Sequence, residues 1–145
     1  MGKKKIVEKG STNKNEALRA RIVSKLKNKK KITDGLLHIQ STYNNTRVSL
    51  SDFEGNIIFT SSSGSLGFKG VKKGTPFAAA KVGEVIGELA TGIKLKNIHI
   101  LVKGVGAGRE SAIRSFINKG FEVLSIKDIT PVPHNGPRPK KPRRV

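Results

Sequence analysis

Apolar and polar positions alternate along Gly35–Thr42 (GLLHIQST) and again along Arg47–Asp52 (RVSLSD). In the second stretch Val48 and Leu50 share one side, and Arg47, Ser49 and Ser51 the other. A period of two is that of a half-buried strand. Tyr43-Asn44-Asn45-Thr46 between them reads as a turn, because Asn tolerates the left-handed backbone. Phe53-Glu54-Gly55 reads as a second turn, and Asn56–Ser62 (NIIFTSS) as a third strand. Three such strands in succession form an antiparallel meander.

The pattern then changes. Thr75-Pro76 is a strong helix start, with a side-chain N-cap before a proline at the first helical position. Ala78, Val82, Val85, Ile86 and Leu89 follow at helical spacing, and Gly92 fits the C′ position that ends a helix. Lys96–Lys103 (KNIHILVK) is largely apolar and reads as a central strand. The glycine turn Gly104–Gly108 (GVGAG) leads to a second helix, Arg109–Lys119, with Ala112, Ile113, Phe116 and Ile117 inward and Gly120 as its stop. Phe121–Ile129 is the last strand. The order β-β-β-α-β-α-β implies right-handed crossovers that make the first, fourth and fifth strands parallel. The expected fold is α/β, a three-layer mixed five-stranded sheet of ribonuclease H-like topology.

The ends of the chain differ from this body. Residues 1–31 have no sustained apolar period; Ala17, Leu18, Ile22, Val23 and Leu26 allow one short helix between Asn15 and Lys27. The last stretch, TPVPHNGPRPKKPRRV, is too rich in proline for regular structure. The expected organisation is a basic extension over 1–31, disordered or a short helix when unbound, a body over 32–130, and a basic proline-rich tail over 131–145.

Charge sharpens this division. The 145 residues carry 29 Lys and Arg against 10 Asp and Glu, a formal net of +19. Residues 1–31 hold 12 basic and 2 acidic side chains, the tail 5 and none, and the body 12 and 8. A near-ordinary body with a basic arm at each end needs a polyanion, and nucleic acid is the commonest one. An anionic membrane surface fits less well, because no long basic amphipathic helix with a broad aromatic face is present. No apolar run is long enough to span a bilayer. MGKKKIVEKG contains no apolar core of a secretory signal. The chain has no cysteine, which removes disulfides, thiolate metal sites and a thiol nucleophile.

Catalytic chemistry finds little support. The first strand offers His38, Gln40 and Thr42 and the fourth Asn97 and His99, so no carboxylate pair converges on central strands to hold two metals. His38, His99 and His134 lack ligand spacing; the first two suit packed, hydrogen-bonded positions. Gly104–Gly108 between a strand and a helix is compatible with backbone phosphate binding, and Asp128 lies where a dinucleotide site would place its acid. A small nucleotide-binding oxidoreductase is therefore the alternative reading. It leaves no residues for a substrate domain, and no cofactor or metal is expected.

The loop Ser63–Gly74 (SGSLGFKGVKKG) carries the clearest binding chemistry. Gly67 and Gly70 let backbone approach a phosphate. Lys69, Lys72 and Lys73 supply charge, Phe68 could stack on a base, and the loop runs into a helix N-terminus at Thr75. Gly104, Gly106, Gly108 and Arg109 in the glycine turn are a second candidate group. His134, Asn135, Gly136, Arg138, Lys140, Lys141, Arg143 and Arg144 in the tail are a third. Asn44, Asn45 and Arg114 complete the candidate RNA-binding set.

Four strings, HIQSTYNNTRVSLSDFEGN (His38–Asn56), GFKGVKKGTPFAAA (Gly67–Ala80), VKGVGAGRESAIRSF (Val102–Phe116) and DITPVPHNGPRPKKPRRV (Asp128–Val145), closely resemble the bacterial-type eleventh protein of the small ribosomal subunit. The resemblance covers about residues 33–145, in order and without large gaps. It implies a non-catalytic protein of the small-subunit platform. Such a protein bridges helices of the small-subunit rRNA and helps shape the cleft where the Shine–Dalgarno duplex of mRNA sits. It also implies the seventh and eighteenth small-subunit proteins as neighbours, and more weakly initiation factor three. The implied location is the ribosome of the cytoplasm, or of a plastid or mitochondrion that encodes it.

Overall fold

The computed structural model describes residues 32–144. The helix expected between Asn15 and Lys27 lies outside the described residues.

Strands β1 (Asp34–Ser41), β2 (Thr46–Ser51) and β3 (Ile57–Ser62) form the expected meander, with Ile39 opposite Val48 and Leu50 opposite Phe59. A bulge between Leu50 and Ser51 breaks the β2–β3 ladder near its end. β4 (Asn97–Lys103) adds parallel to β1, and β5 (Glu122–Asp128) parallel to β4. The strand order is β3-β2-β1-β4-β5, a mixed five-stranded sheet.

Helix α1 spans Pro76–Gly92 and α2 spans Gly108–Ile117. The alternation read in the sequence decides what they cover. Leu37, Ile39, Val48, Leu50, Ile98 and Ile100 project to one side and are buried there against Val82, Ile86, Ala112 and Phe116. Phe116 stacks on Phe121 at 4.5 Å between ring centroids, closing the core beneath the end of α2.

Both helices lie on this one side. α1 packs on β2 and β3, α2 packs on β1 and β2, and the helices pack on each other. The described residues thus form two layers, where the sequence led us to expect three. The topology explains this. β3, β4 and β5 point the same way and are visited in one direction across the sheet, so two crossovers of the same hand fall on the same face. β4 is central, but Asn97, His99 and Leu101 on its other side are only half-buried.

The helices touch through small residues. A Cβ on Gly83 would lie 2.2 Å from Ser115 Oγ, and one on Gly87 would lie 2.7 Å from Lys119 Cγ. Glycine inside a helix costs about 1 kcal/mol relative to Ala; here it permits the close approach. Thr75 and Pro76 start α1 as expected, with Thr75 Oγ1 accepting from the Ala78 N–H at 3.3 Å. The C-terminal end differs. The helix runs through Gly92, and the left-handed residue is Lys94, at φ 62°. Ile93 and Leu95, on either side of that turn residue, are both buried, so the turn is anchored in the core. Gly120, at φ 91°, ends the turn after α2 as expected.

Candidate nucleic-acid interface

β1, β3, β4 and β5 run in one direction, so their C-terminal ends and the start of β2 share one edge of the sheet. Four segments distant in sequence therefore meet there: the hairpin Thr42–Asn45, the lysine loop after Ser63, the glycine turn from Gly104, and the root of the tail at Ile129. In open α/β sheets this carboxyl edge is the usual binding edge.

Ser63 ties the hairpin to the lysine loop. Its buried hydroxyl lies 2.7 Å from Asn45 Oδ1 and 2.7 Å from the Lys73 carbonyl, and it accepts from the Thr46 N–H at 3.1 Å. Gly74 brings the two backbones together, since a Cβ there would stand 2.1 Å from the Tyr43 carbonyl oxygen. Asn45 is thus a half-buried brace, while Asn44 at the tip is exposed. Within the loop, Gly70–Gly74 forms a 3-10 turn with Lys72 and Lys73 in it. Lys69 and Lys72 are exposed and Lys73 half-buried. Gly67 and Gly70 adopt left-handed φ values of 95° and 59° with open space around them, so their backbone faces outward. Thr75 is half-buried; its hydroxyl donates to the Lys72 carbonyl at 2.7 Å.

The glycine turn packs closely against the protein's own hairpin. A Cβ on Gly104 would lie 2.1 Å from the Ser41 carbonyl oxygen, one on Gly106 2.3 Å from that of Thr42, and one on Gly108 2.4 Å from Thr46 Oγ1. The Gly104 N–H donates to Thr130 Oγ1 at 3.1 Å and the Gly106 N–H to the Ser41 carbonyl at 3.1 Å. These glycines admit the protein's own hairpin, and two of their N–H groups already have partners. The dinucleotide reading needed that space and those donors for a pyrophosphate.

Arg109 is likewise engaged. Its guanidinium donates to the Gly104 carbonyl and to Asp128 Oδ2. Asp128 also accepts from the Thr130 hydroxyl, and from the Thr130 N–H at 2.8 Å. The Thr130 hydroxyl first, and then the Arg109 guanidinium, hold the Asp128 carboxyl at about 2, well below the usual range. Arg109 and Asp128 thereby fasten the tail's root to the glycine turn. Arg114 lies about 9 Å along α2 from Gly108, at 1.5 Å per residue, exposed beside Glu110 at 3.4 Å.

Phe68 is half-buried and meets Phe77 edge-on, with 6.1 Å between ring centroids. Phe77 is 64% exposed, with Lys81 Nζ 5.9 Å from its centroid, and Tyr43 at the hairpin tip is 79% exposed. The open aromatic surfaces near the lysine loop and hairpin are thus Tyr43 and Phe77, which the sequence had not singled out. Arg47 and Lys103 were missed as well. They flank Gln40 on the uncovered sheet face, beside a depression lined by Gln40, Thr42, Asn45 and Arg47. Strand parity could have found this pair; no local signal marks Phe77 as exposed.

From Pro131 to Arg144 the tail has no helix or strand and is exposed, including His134, Gly136, Arg138, Lys140, Lys141, Arg143 and Arg144. Asn135 takes a left-handed φ of 53°. His38 and His99 are hydrogen-bonded to Ser51 Oγ at 2.9 Å and Ser125 Oγ at 2.7 Å. Among the described residues no cluster of His, Asp or Glu could hold a metal ion, and no helix is long and apolar enough to cross a membrane.

The arrangement is an exposed edge of lysines, aromatics and outward-facing backbone, braced from beneath by glycines and an ion pair. Sequence comparison agrees with it in extent. The family model described as Ribosomal protein S11 matches residues 35–144, a span containing all four segments. The small ribosomal subunit protein uS11 from one strain of Treponema pallidum subsp. pallidum is 49% identical over 124 residues, covering 86% of this chain and 98% of the relative. The protein of the same name from Treponema pallidum strain Nichols matches with the same identity and coverage. With most of the body and the tail matched in order, the chain belongs to the ribosomal protein S11 family.

Proposed function

We propose that this chain is a structural, rRNA-binding constituent of the small ribosomal subunit. The observation that carries the reading is the meeting of the hairpin tip, lysine loop and basic tail at one edge of the sheet. Lys69, Lys72, Lys73 and the tail's Arg138, Lys140, Lys141, Arg143 and Arg144 contact phosphates, which fix position without reading sequence. Tyr43 and Phe77 stack on unpaired bases, the feature of folded RNA that proteins recognise most readily. Gly104, Gly106, Gly108, Arg109 and Asn45 act beneath this surface and hold its parts in register. The protein has no catalytic role in this reading.

The family resemblance supports a finer placement. In this reading the body sits on the platform, bridging rRNA helices beside the Shine–Dalgarno cleft. The seventh and eighteenth small-subunit proteins are its neighbours, with mRNA and initiation factor three within reach. The test is sedimentation of the tagged chain through a salt-washed gradient. Co-migration with small subunits supports the reading; a chain found only at the top of the gradient overturns it.

A further inference from the structure

The sheet face that the described residues leave uncovered is graded in charge. Four cross-strand pairs establish which side chains lie on it: His38 with Ser51, Ser49 with Thr60, His99 with Ser125, and Asn97 with Asp34. At the RNA-facing end this face carries Arg47 and Lys103, and next to them Lys127 opposite Leu101. At the far end Asn97 lies between Asp34 and Glu122, and the β2–β3 turn adds Asp52 and Glu54. Between them lies an apolar zone. Phe53 is 59% exposed and meets His99 edge-on at 5.5 Å, Ile57 is 63% exposed, and Leu36 pairs across the ladder with His99.

We propose that this acid-rimmed apolar zone docks a basic protein segment with two or more apolar anchors, contributed by another small-subunit component. The inference rests on the ribosomal reading above. In a chain of net charge +19, the carboxylates of Asp34, Asp52, Glu54 and Glu122 are spread along this end of the sheet beside exposed Phe53 and Ile57 and disfavour phosphate on this face. Carboxylates flanking an apolar centre complement lysines and arginines flanking aliphatic or aromatic side chains. Asp52 is held ready for such a partner. The Asn56 side-chain amide donates to it at 3.1 Å and the Asn56 N–H at 2.8 Å, which fixes the β2–β3 turn. The basic segment 1–31 of the same chain is the competing occupant. Its 12 basic side chains outnumber the four carboxylates, so it is matched better by rRNA.

The test uses assembled small subunits containing the full chain. Hydroxyl-radical footprinting compares Phe53 and Ile57 in the free chain and in the subunit. Carbodiimide then joins carboxylates to contacting amines, and the linked peptides are identified by mass spectrometry. The expected result is several-fold protection of Phe53 and Ile57 on assembly, with Asp52, Glu54 or Glu122 linked to lysines of a second protein. The Phe53→Ser/Ile57→Ser chain, altered only at exposed positions, should keep its circular dichroism spectrum, still enter subunits and lose those links. Equal oxidation in both states, links only to this chain's own lysines, or protection without a protein link would each overturn the inference. So would ultraviolet cross-linking of Phe53 to RNA. A chain that never enters subunits would overturn the ribosomal reading itself.

Discussion

Gly106 and the carbonyl of Thr42 share space that no larger pair could occupy: a Cβ on Gly106 would stand 2.3 Å from that oxygen. Because the obstacle is backbone, the clash cannot be relieved by a rotamer change. Gly106→Ala should therefore destabilise the fold by about 1–3 kcal/mol or more, the usual cost of overpacking. Gly64→Ala, whose nearest neighbour would be Lys73 Cδ at 3.6 Å, should stay within about 0.5 kcal/mol of the parent. Urea melts monitored by circular dichroism separate the two. Equal stability of both variants would contradict the packing assigned to the glycine turn.

Ser63→Ala removes the hydroxyl that joins Asn45 Oδ1, the Lys73 carbonyl and the Thr46 N–H. Leaving buried polar groups without partners costs about 1–3 kcal/mol. The loss should appear as faster amide exchange in the hairpin and around Lys73, with little change in β4 and β5. Exchange that rises uniformly would mean that Ser63 does not couple these segments.

Asp128 sets a pH window. Its carboxyl titrates at about 2 in the fold against an ordinary value of 3.8. A depressed carboxylate contributes its stability above the unfolded value and loses it as pH falls through the folded one. The contribution of the Asp128 cluster should thus be complete above about pH 4 and disappear towards pH 2. Asp128→Asn should remove that part of the acid dependence while leaving the rest of the profile in place. An unchanged profile between pH 4 and 2 would contradict the depressed value.

Tyr43→Ala and Phe77→Ala alter exposed rings, so both chains should fold, with Phe77→Ala losing a little stability because it also strips the edge contact from Phe68. If each stacks on a base, affinity for a small-subunit rRNA fragment should fall by about 1–3 kcal/mol per ring. Phe68→Ala should instead lower the melting temperature, because that ring is half-buried against Phe77. Filter binding beside thermal melts distinguishes these outcomes. Tyr43 and Phe77 variants that bind as the parent does would remove stacking from the account.

How far the sequence reached depended on the range of each signal. Val48 and Leu50 against Arg47 and Ser49 is a pattern within one strand, and it placed both faces of the sheet correctly. Thr75-Pro76 is a signal between neighbours, and the helix begins where it predicts. The left-handed turn at Lys94 escaped because it is set by the burial of Ile93 and Leu95 on either side of it, not by the glycine at 92. The covered face escaped because it depends on the order of strands across the sheet, which no single element encodes. The same holds for the site. Lysines 69, 72 and 73 were legible as charge. Arg109 was legible as charge too, but its ion pair with Asp128, 19 residues away, was not. The glycines of the turn were visible, but the hairpin that approaches them was not.

The central claim, that the exposed basic edge binds RNA through its phosphates, is tested most directly by salt dependence. Affinity of the full chain for an rRNA fragment is measured from low to physiological salt, beside a chain carrying Lys69→Gln, Lys72→Gln and Lys73→Gln. Each phosphate contact contributes roughly 0.7–0.9 to the slope of log K against log salt. Removal of three contacting lysines should lower the slope by roughly 2–3, with folding unchanged by circular dichroism. A variant that folds and keeps the parent's slope would contradict the assignment of this edge as the RNA-binding surface.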